Sequence, residues 1–302
     1  FCLARRNKAM ASAHNPTAPA AAPAAHPRNA SDPAPTHRVA FILMALIFIG
    51  APLVGVYPVF MMKVMCFALF ACAFNLLLGY GGLLSFGHAM FLGSAGYVSA
   101  HAAKVWGLTP ELAIALGASC AGALGWVAGR LAIRRQGIYF AMITLALAQL
   151  VFFFSLQAPF TGGEDGIQAV PRGKLMGLID LAHPAAKYPF VLAIFLGGFL
   201  LIYRIVHSPF GQVLKAIREN EARAISLGYD ADRFKHRAFV LSATLAGLAG
   251  ATKAIVFQLA SLTDVHWSMS GEVVQGAIFV LCVLLFRRGI IGEIGHLLKK
   301  SL

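Results

Sequence analysis

The 302-residue sequence has few charged residues, which make up 12% of the chain, against about 25% in an ordinary soluble domain. Acids are the scarcest, since 12 Asp and Glu stand against 25 Lys and Arg. A spanning helix needs about 20 mostly apolar residues. The composition therefore excludes a soluble enzyme and predicts an all-α, polytopic integral membrane protein. Between residues 39 and 155 the charged side chains are Lys63, Lys104, Glu111, Arg130, Arg134 and Arg135.

The sequence also lacks the motifs of metal binding, ATP binding and catalysis. Its five cysteines form no CxxC pair, and it has no GxxxxGK(S/T) phosphate loop. We therefore assign no catalytic residue, no metal and no cofactor bound by this chain. The basic excess falls between apolar blocks, as the positive-inside rule expects, and not on one polar face as in a nucleic-acid-binding protein.

The apolar blocks predict about eight transmembrane helices within a membrane domain at residues 39–288, with both termini cytoplasmic. The predicted inner segments carry more Lys and Arg than the outer ones, which supports this orientation. We expect a disordered, Ala/Pro-rich tail at residues 1–38 and a cytoplasmic tail at 289–302. The blocks are 39–56, 59–78, 84–105, 112–129, 139–155, 188–206, 239–259 and 273–286.

A glycine pair interrupts the apolar pattern between the second and third blocks. The sequence Tyr80-Gly81-Gly82 would break a helix at membrane depth, where irregular backbone is tolerated if it is buried in protein or lines a wet path. We therefore predict an element of the transport route here. Packing and interhelical hydrogen bonding are the alternative roles of the polar residues nearby. The candidate translocation-path residues are Asn75, Ser85, Gly87, His88, Thr144 and Gln149.

Residues 207–237 form a densely charged segment between two apolar blocks, with ten charged residues in thirty-one. Ser208-Pro209 predicts a helix start, because Ser caps a helix and Pro suits its first position. The apolar residues that follow lie on one helical face. The pattern leaves two alternatives open, since such a face lies in the lipid headgroup layer or docks into a groove on a cytosolic partner. These residues are Phe210, Val213, Leu214 and Ile217.

Two patterns inside the spans concern packing and charge. Lys253 is the single formal charge of the block at 239–259, and we expect its long side chain to snorkel to the outer surface.

Small residues recur every four positions and favour close helix packing, within the chain or against a second subunit. They are Ala243, Gly247 and Ala251, and also Gly125 and Gly129.

The segment at 161–166 is expected to lie outside, between the fifth and sixth blocks. Its two acids fall short of a cation site, which needs further oxygen ligands. We predict a structured turn at this outer position. The candidate outer-loop residues are Thr161, Gly162, Gly163, Asp165 and Gly166.

Four stretches, in a fixed order, carry a family resemblance over about residues 40–273. They are residues 75–89, 137–146, 161–167 and 208–228, the last beginning Ser-Pro-Phe-Gly-Gln-Val-Leu-Lys-Ala-Ile-Arg-Glu-Asn-Glu. Together they resemble the LivM-type permease subunit of bacterial branched-chain amino acid ABC transporters, and the last resembles its cytoplasmic coupling loop. The resemblance implies ATPase-coupling roles for Ser208, Pro209, Phe210, Gly211, Val213, Leu214, Ile217, Arg218, Glu219, Asn220, Glu221 and Gly228.

This resemblance implies a permease subunit of an ATP-driven importer for branched-chain or related amino acids in the bacterial inner (plasma) membrane. The expected partners are a homologous second permease subunit, two ATPase subunits, a periplasmic substrate-binding protein and the lipid bilayer, with no nucleic acid. ATP would be used by the ATPase subunits, whose closure would drive alternating access. Phe210 and Ile217 would sit in a cleft of an ATPase subunit. The turn at 161–166 would lie at an outer gate or touch the binding protein.

Other functions remain open at this point. A permease for urea or short amides resembles this chain as well. A self-sufficient secondary transporter would need paired intramembrane carboxylates for ion coupling, and the blocks contain none. A third alternative is a shortened, non-transporting membrane protein that still docks the ATPase.

The third alternative follows from departures from the family pattern. Leu83 stands where the family commonly has Gln. After residues 270–274 the stretch that begins at Gln275 already resembles the closing helix of the family, with Arg287-Arg288-Gly289 behind it. We therefore expect that an internal segment is absent near residues 274–276, which bears on transport competence.

Overall fold

A computed structural model describes residues 57–135, 137–175, 179–181 and 184–266, together with residues 45, 46, 48–50 and 55. Several predictions lie outside the described residues: the N-terminal tail at 1–38, most of the first block, the block at 273–286, the junction near 274–276 and the tail at 289–302. The second to seventh blocks, from 59 to 259, fall largely within the described residues.

The described long helices follow the apolar blocks. Five of them are long and apolar enough to cross a membrane, and the helix His88–Lys104, with 17 residues, rises by about 26 Å. These helices confirm an all-α membrane protein, while the count of eight and the sides of the termini stay predictions. They are α1 (Pro58–Asn75, continued by a π-helical turn at Leu76–Tyr80), α2 (His88–Lys104), α3 (Pro110–Ala132), α4 (Ile138–Gln157), α5 (Pro184–His207) and α8 (Ala231–Phe257); the shorter helices are α6 (Pro209–Glu219) and α7 (Glu221–Ser226).

Helix starts follow local chemistry. Pro58, Pro110 and Pro209 open α1, α3 and α6, where the missing N–H of proline costs no hydrogen bond. The carboxylate of Asp230 accepts a hydrogen bond from the backbone N–H of Arg233 at 3.2 Å. This cap starts α8 eight residues before the apolar block that predicted it.

Helix α8 lies at the centre of the described fold and packs along α1, α2 and α3. Small residues make the contact with α3 close. A Cβ atom added to Gly125 would stand 2.5 Å from the Cβ of Ala243, and one added to Gly117 would stand 3.0 Å from the Cβ of Ala251. The small-residue ridges predicted on α3 and α8 therefore pack against each other within this chain.

Helix α8 also joins the two ends of the fold. At one end, called here the loop end, it follows α6 and α7. At the other, called the hairpin end, short strands form two antiparallel pairs, β1 with β4 and β2 with β3. The strands are β1 (Ile167–Gln168), β2 (Lys174–Leu175), β3 (Ile179–Asp180) and β4 (Leu259–Ala260), and 3-10 turns lie at Pro159–Thr161, Gly163–Asp165 and Leu262–Asp264.

The packing of α3 on α8 predicts opposite effects for two glycine-to-alanine substitutions. Gly125→Ala places a methyl group against Ala243, and overpacking of this kind costs about 1–3 kcal/mol. Gly197→Ala in α5 meets nothing within 4 Å, so the higher helix propensity of alanine is expected to leave stability unchanged or raise it. The measurement is the thermal midpoint of the purified chain in detergent. Equal midpoints for the two variants would contradict the close α3–α8 contact.

Candidate functional site

The coupling loop, residues 207–237, begins as predicted. The Ser208 hydroxyl accepts a hydrogen bond from the backbone N–H of Gly211 at 3.4 Å, and Pro209 is the first residue of α6. Gly211 is buried, and a Cβ atom there would meet the carbonyl oxygens of Ile205 and Val206. Helix α6 therefore turns back tightly against the end of α5, and only glycine fits at that contact.

The apolar face of α6 is covered by the same chain. Ile217 is only 2% exposed, and Leu214 is fully buried. Phe210 stacks on the ring of Phe234 from α8, with ring centroids 5.5 Å apart. The cluster around Ile217 contains Ala224 and Ala231, with Val213 and Phe234 packed beside it.

This arrangement bears on both expectations for that face. Ile217 packs against Ala224 of α7 and Ala231 at the start of α8, so its side chain is already covered within the chain. A contact of this face with the headgroup layer or with a partner stays a prediction. Helical spacing predicts an apolar face but does not reveal what covers it. The structure shows that neighbouring residues of the chain do so.

Polar contacts hold α7 in place. The Nζ atom of Lys235 lies 2.6 Å from Oε1 of Glu221, and the Asn220 side chain accepts a hydrogen bond from the backbone N–H of Arg223 at 3.0 Å. Gly228 takes a left-handed backbone conformation, with φ +89°, directly after α7. Asn220, Glu221 and Gly228 thus stabilise the coupling loop, and Glu219 is exposed.

Three apolar side chains of the loop point outward instead. Ile225 is 56% exposed and Leu227 69% exposed, and Tyr229 is exposed as well. We call Ile225, Leu227 and Tyr229 the loop surface. Sequence analysis missed Ile225 and Tyr229 because they do not continue the period of α6. The available signal was three apolar residues within five positions of a charged segment.

The predicted break after α1 is present. The last turn of α1 widens to the π-helical turn Leu76–Tyr80, Gly82 adopts φ +67°, and the chain becomes helical again only at His88. The guanidinium of Arg218, from α6, donates a hydrogen bond to the carbonyl oxygen of Gly79. The break therefore lies directly beside the coupling loop.

Three of the candidate path residues come together after the break. The Thr144 hydroxyl, on α4, accepts a hydrogen bond from the backbone N–H of Phe86 at 3.2 Å and donates one to the carbonyl of Ala141 at 2.8 Å. A Cβ atom at Gly87 would collide with the Thr144 carbonyl, and the Ser85 hydroxyl accepts a hydrogen bond from the Gly87 N–H at 3.3 Å. A hydrogen bond and close packing against Thr144 thus hold the segment at 85–87 on α4.

His88 lies in the interior of the described fold. Its Nε2 is 2.8 Å from the hydroxyl oxygen of Ser242, which itself donates to the carbonyl of Ala73, so Nε2 is the donor to Ser242. These bonds connect α2, α8 and α1. This surrounding matches the packing alternative, and a path-lining role stays a prediction. The rings around it belong to Phe70, Phe74, Phe91 and Phe239.

The two remaining path candidates lie apart from this group. Asn75 is buried at the start of the π-helical turn, and a Cβ atom at Gly79 would stand 2.5 Å from its side-chain oxygen. Gln149 follows Thr144 by five residues on α4, which places it about 140° around the helix. The structure does not bring Gln149 to the face that carries Thr144. Sequence analysis missed Ser242, a hydroxyl within an otherwise apolar part of α8.

The outer-loop candidates form an ordered turn at the hairpin end. The buried Thr161 hydroxyl lies 2.6 Å from both the Ser155 and the Ala158 carbonyl oxygens. Asp165 is exposed, and the described residues hold no group of three or more His, Cys, Asp or Glu that could bind a metal. A gate or a contact with a binding protein stays a prediction. Left-handed backbone conformations occur at Gly162, Gly163 and Gly166, with φ values of +79°, +64° and +66°.

The contacts of Lys253 contradict the expectation that its side chain snorkels to the outer surface. Its ammonium group pairs with the carboxylate of Asp264, and the two side chains are only 16% and 12% exposed. Its Nζ also lies 5.2 Å from the ring centroid of Phe67. Because β4 and the following 3-10 turn fold back over the end of α8, the partner charge comes to Lys253 within the fold.

A bundle of apolar helices with a charged, folded loop between two of them defines an all-α membrane protein. Residues 58–287 match the family model described as branched-chain amino acid transport system / permease component, and the chain belongs to this family.

Two curated relatives support the assignment. The chain is 27% identical over 210 residues to the high-affinity branched-chain amino acid transport system permease protein LivM of Escherichia coli, which covers 62% of this chain and 49% of that protein. The same protein from Salmonella typhimurium matches with the same identity and coverage. The chain thus spans about half the length of these relatives. No solved structure matches it.

The Lys253–Asp264 pair predicts different effects for one and two substitutions. Lys253→Met leaves a buried carboxylate unpaired, which costs about 3–5 kcal/mol. The double variant Lys253→Met with Asp264→Leu removes both charges and is expected to recover most of that loss. The measurement is the unfolding free energy in detergent, with the Asp264→Leu single variant as control. A double variant that is less stable than both single variants would contradict the pairing.

Proposed function

We propose that this chain is a transmembrane permease subunit of an ATP-driven importer for branched-chain or related amino acids. In this proposal it lies in the inner (plasma) membrane of a bacterium with its loop end in the cytoplasm. It acts with a homologous second permease subunit, two ATPase subunits and a periplasmic substrate-binding protein. ATP is bound and hydrolysed by the ATPase subunits, and this chain supplies the transmembrane path.

The observation that carries the proposal is the coupling loop. It is a folded unit between α5 and α8, held by the Ile217 cluster and the Lys235–Glu221 pair, and it presents an apolar loop surface. Exposed apolar side chains on a charged, structured loop are typical of a docking site. The proposed occupant is an ATPase subunit, and membership of a transport permease family supports this choice.

In the proposed mechanism the coupling loop moves as a rigid body and an irregular segment of the helix bundle rearranges. Because α6 and α7 pack on α5 and α8, a push on the loop surface moves the loop as one body. Closure of the ATPase pair would then favour one of two arrangements of the helices, since a partner shifts an equilibrium by its differential affinity for the two states. The segment from Gly82 to Gly87 is irregular and lies between α1 and α2, so it can rearrange without breaking a regular helix.

The first test is transport by the assembled complex. Vesicles that contain this chain with its partner subunits are expected to take up labelled leucine when ATP and the binding protein are present, and to take up none when ATP is replaced by a non-hydrolysable analogue. Labelled urea is measured in parallel. Uptake of urea alone would favour the short-amide alternative, and uptake of neither would favour the non-transporting alternative.

The second test concerns the loop surface. Leu227→Asp places a charge in the proposed interface without disturbing the fold, because this side chain is 69% exposed, and co-purification of the ATPase subunit is expected to fall at least about tenfold. The control is Gln212→Asp, which adds the same charge at an exposed position of α6 outside the loop surface. Unchanged co-purification with Leu227→Asp would refute docking through this surface.

Ile217→Asp is not a test of docking in this structure. Its side chain is buried among residues of the loop itself, so a charge there would unfold the loop. Loss of co-purification would then reflect an unfolded loop and not a lost docking contact. Limited proteolysis of residues 207–237 would distinguish these two causes.

A further inference from the structure

The coupling loop contacts a third transmembrane helix to which it is not joined by neighbouring sequence. Helix α6 follows α5 and precedes α7 and α8, so contacts with those helices are expected from the chain order alone. Its contact with the end of α1 is different, because Arg218 and Gly79 are 139 positions apart in the sequence. This contact rests on two side chains of α6.

The first side chain is Arg218. Its guanidinium donates a hydrogen bond to the carbonyl oxygen of Gly79 in the π-helical turn. Its aliphatic part lies over Gly82, where an added Cβ atom would come within 3.1 Å of the Arg218 Cγ. Gly82 is therefore suited to this place for two reasons, its φ of +67° and the space that Arg218 occupies.

The second side chain is Lys215, three residues earlier and on the same side of α6. Its Nζ lies 5.3 Å from the centroid of the Tyr80 ring, a distance at which an ammonium group is attracted by an aromatic face. The two cations thus contact two consecutive residues of the π-helical turn, Gly79 and Tyr80.

The chemistry of a helix end explains why cations fit here. The last carbonyl groups of a helix have no intrahelical partner and carry a partial negative charge. At the end of α1 the π-helical turn directs one of them, that of Gly79, to Arg218. A hydrogen bond from a charged donor is also stronger than one between neutral groups.

We propose that Arg218 is a positioning residue that transmits movement of the coupling loop to the break at the end of α1. Lys215 supports it through Tyr80. A displacement of α6 then pulls the Gly79 carbonyl and shifts the segment from Gly82 to Gly87, which is fastened at its other end to Thr144 of α4. The inference rests on the proposed function, because it requires a partner that moves the loop.

The test separates this role from docking and from stability. Arg218→Met keeps the aliphatic part over Gly82 and removes the donor, whereas Arg218→Lys keeps a charged donor. In the reconstituted complex, Arg218→Met is expected to leave ATPase co-purification unchanged and to lower the melting midpoint by a few degrees at most. Leucine uptake per ATP hydrolysed is expected to fall by about tenfold, the effect of one lost charge-assisted hydrogen bond. Arg218→Lys is expected to restore at least half of it. Arg237→Ala, which removes an exposed cation from α8, is the control for charge.

A second readout follows the break directly. Spin labels at Leu84, in the segment after the break, and at Leu112, at the start of α3, both occupy exposed positions. Their separation is measured in the complex with and without a trapped ATP analogue. The proposal expects a change of separation in the parent chain that is absent in Arg218→Met.

Different results would contradict the proposed function and the positioning role of Arg218. A parent complex without leucine uptake would contradict the proposed function, and the ATP-dependent separation would still test the contact. An Arg218→Met complex with the parent ratio of uptake to hydrolysis, or with the parent change of separation, would overturn the positioning role. So would a loss of function in Arg218→Met that Arg218→Lys does not restore.

Discussion

The close contact of α8 with α2 and α3 determines where the other described elements lie. Lipid tails are as apolar as leucine, so helices in a membrane associate through van der Waals packing at short distance and not through the hydrophobic effect. Here that distance requires positions without bulky side chains. A Cβ atom at Gly250 would collide with the Leu92 carbonyl, and one at Gly247 with Ala121. With α8 fixed in this way, its two ends carry the loop end and the hairpin end of the fold.

Polar contacts add direction to this packing. Ser242 of α8 connects His88 of α2 with the carbonyl of Ala73 of α1, and Lys253 of the same helix pairs with Asp264. An intramembrane polar group without a partner is costly, so each contact restricts how α8 can rotate or slide. Small residues bring the helices together, and the polar groups select one arrangement among those that the small residues would allow.

Much of this fold could be predicted from local sequence, and the contacts between distant residues could not. The helices in the apolar blocks, the cap at Ser208 and the break at Tyr80-Gly81-Gly82 depend on neighbouring residues, and the pattern predicted them. The cover of Ile217, the partner of Lys253 and the hydrogen bond from Arg218 to Gly79 depend on residues that fold back from elsewhere. An apolar ridge or a single charge predicts that a contact partner is needed, but the periodicity of the sequence does not indicate which residue that partner is.

The same limit applies to the apolar face of α6. Amphipathic spacing marks the face that leaves water, and in a loop of about thirty residues the nearest apolar surface is the loop itself. A surface used by a partner must remain exposed when the partner is absent, so it does not follow the period of a packed helix. Ile225, Leu227 and Tyr229 have this property. In this loop they are therefore the candidates for contact with a partner that the helical period of α6 does not predict.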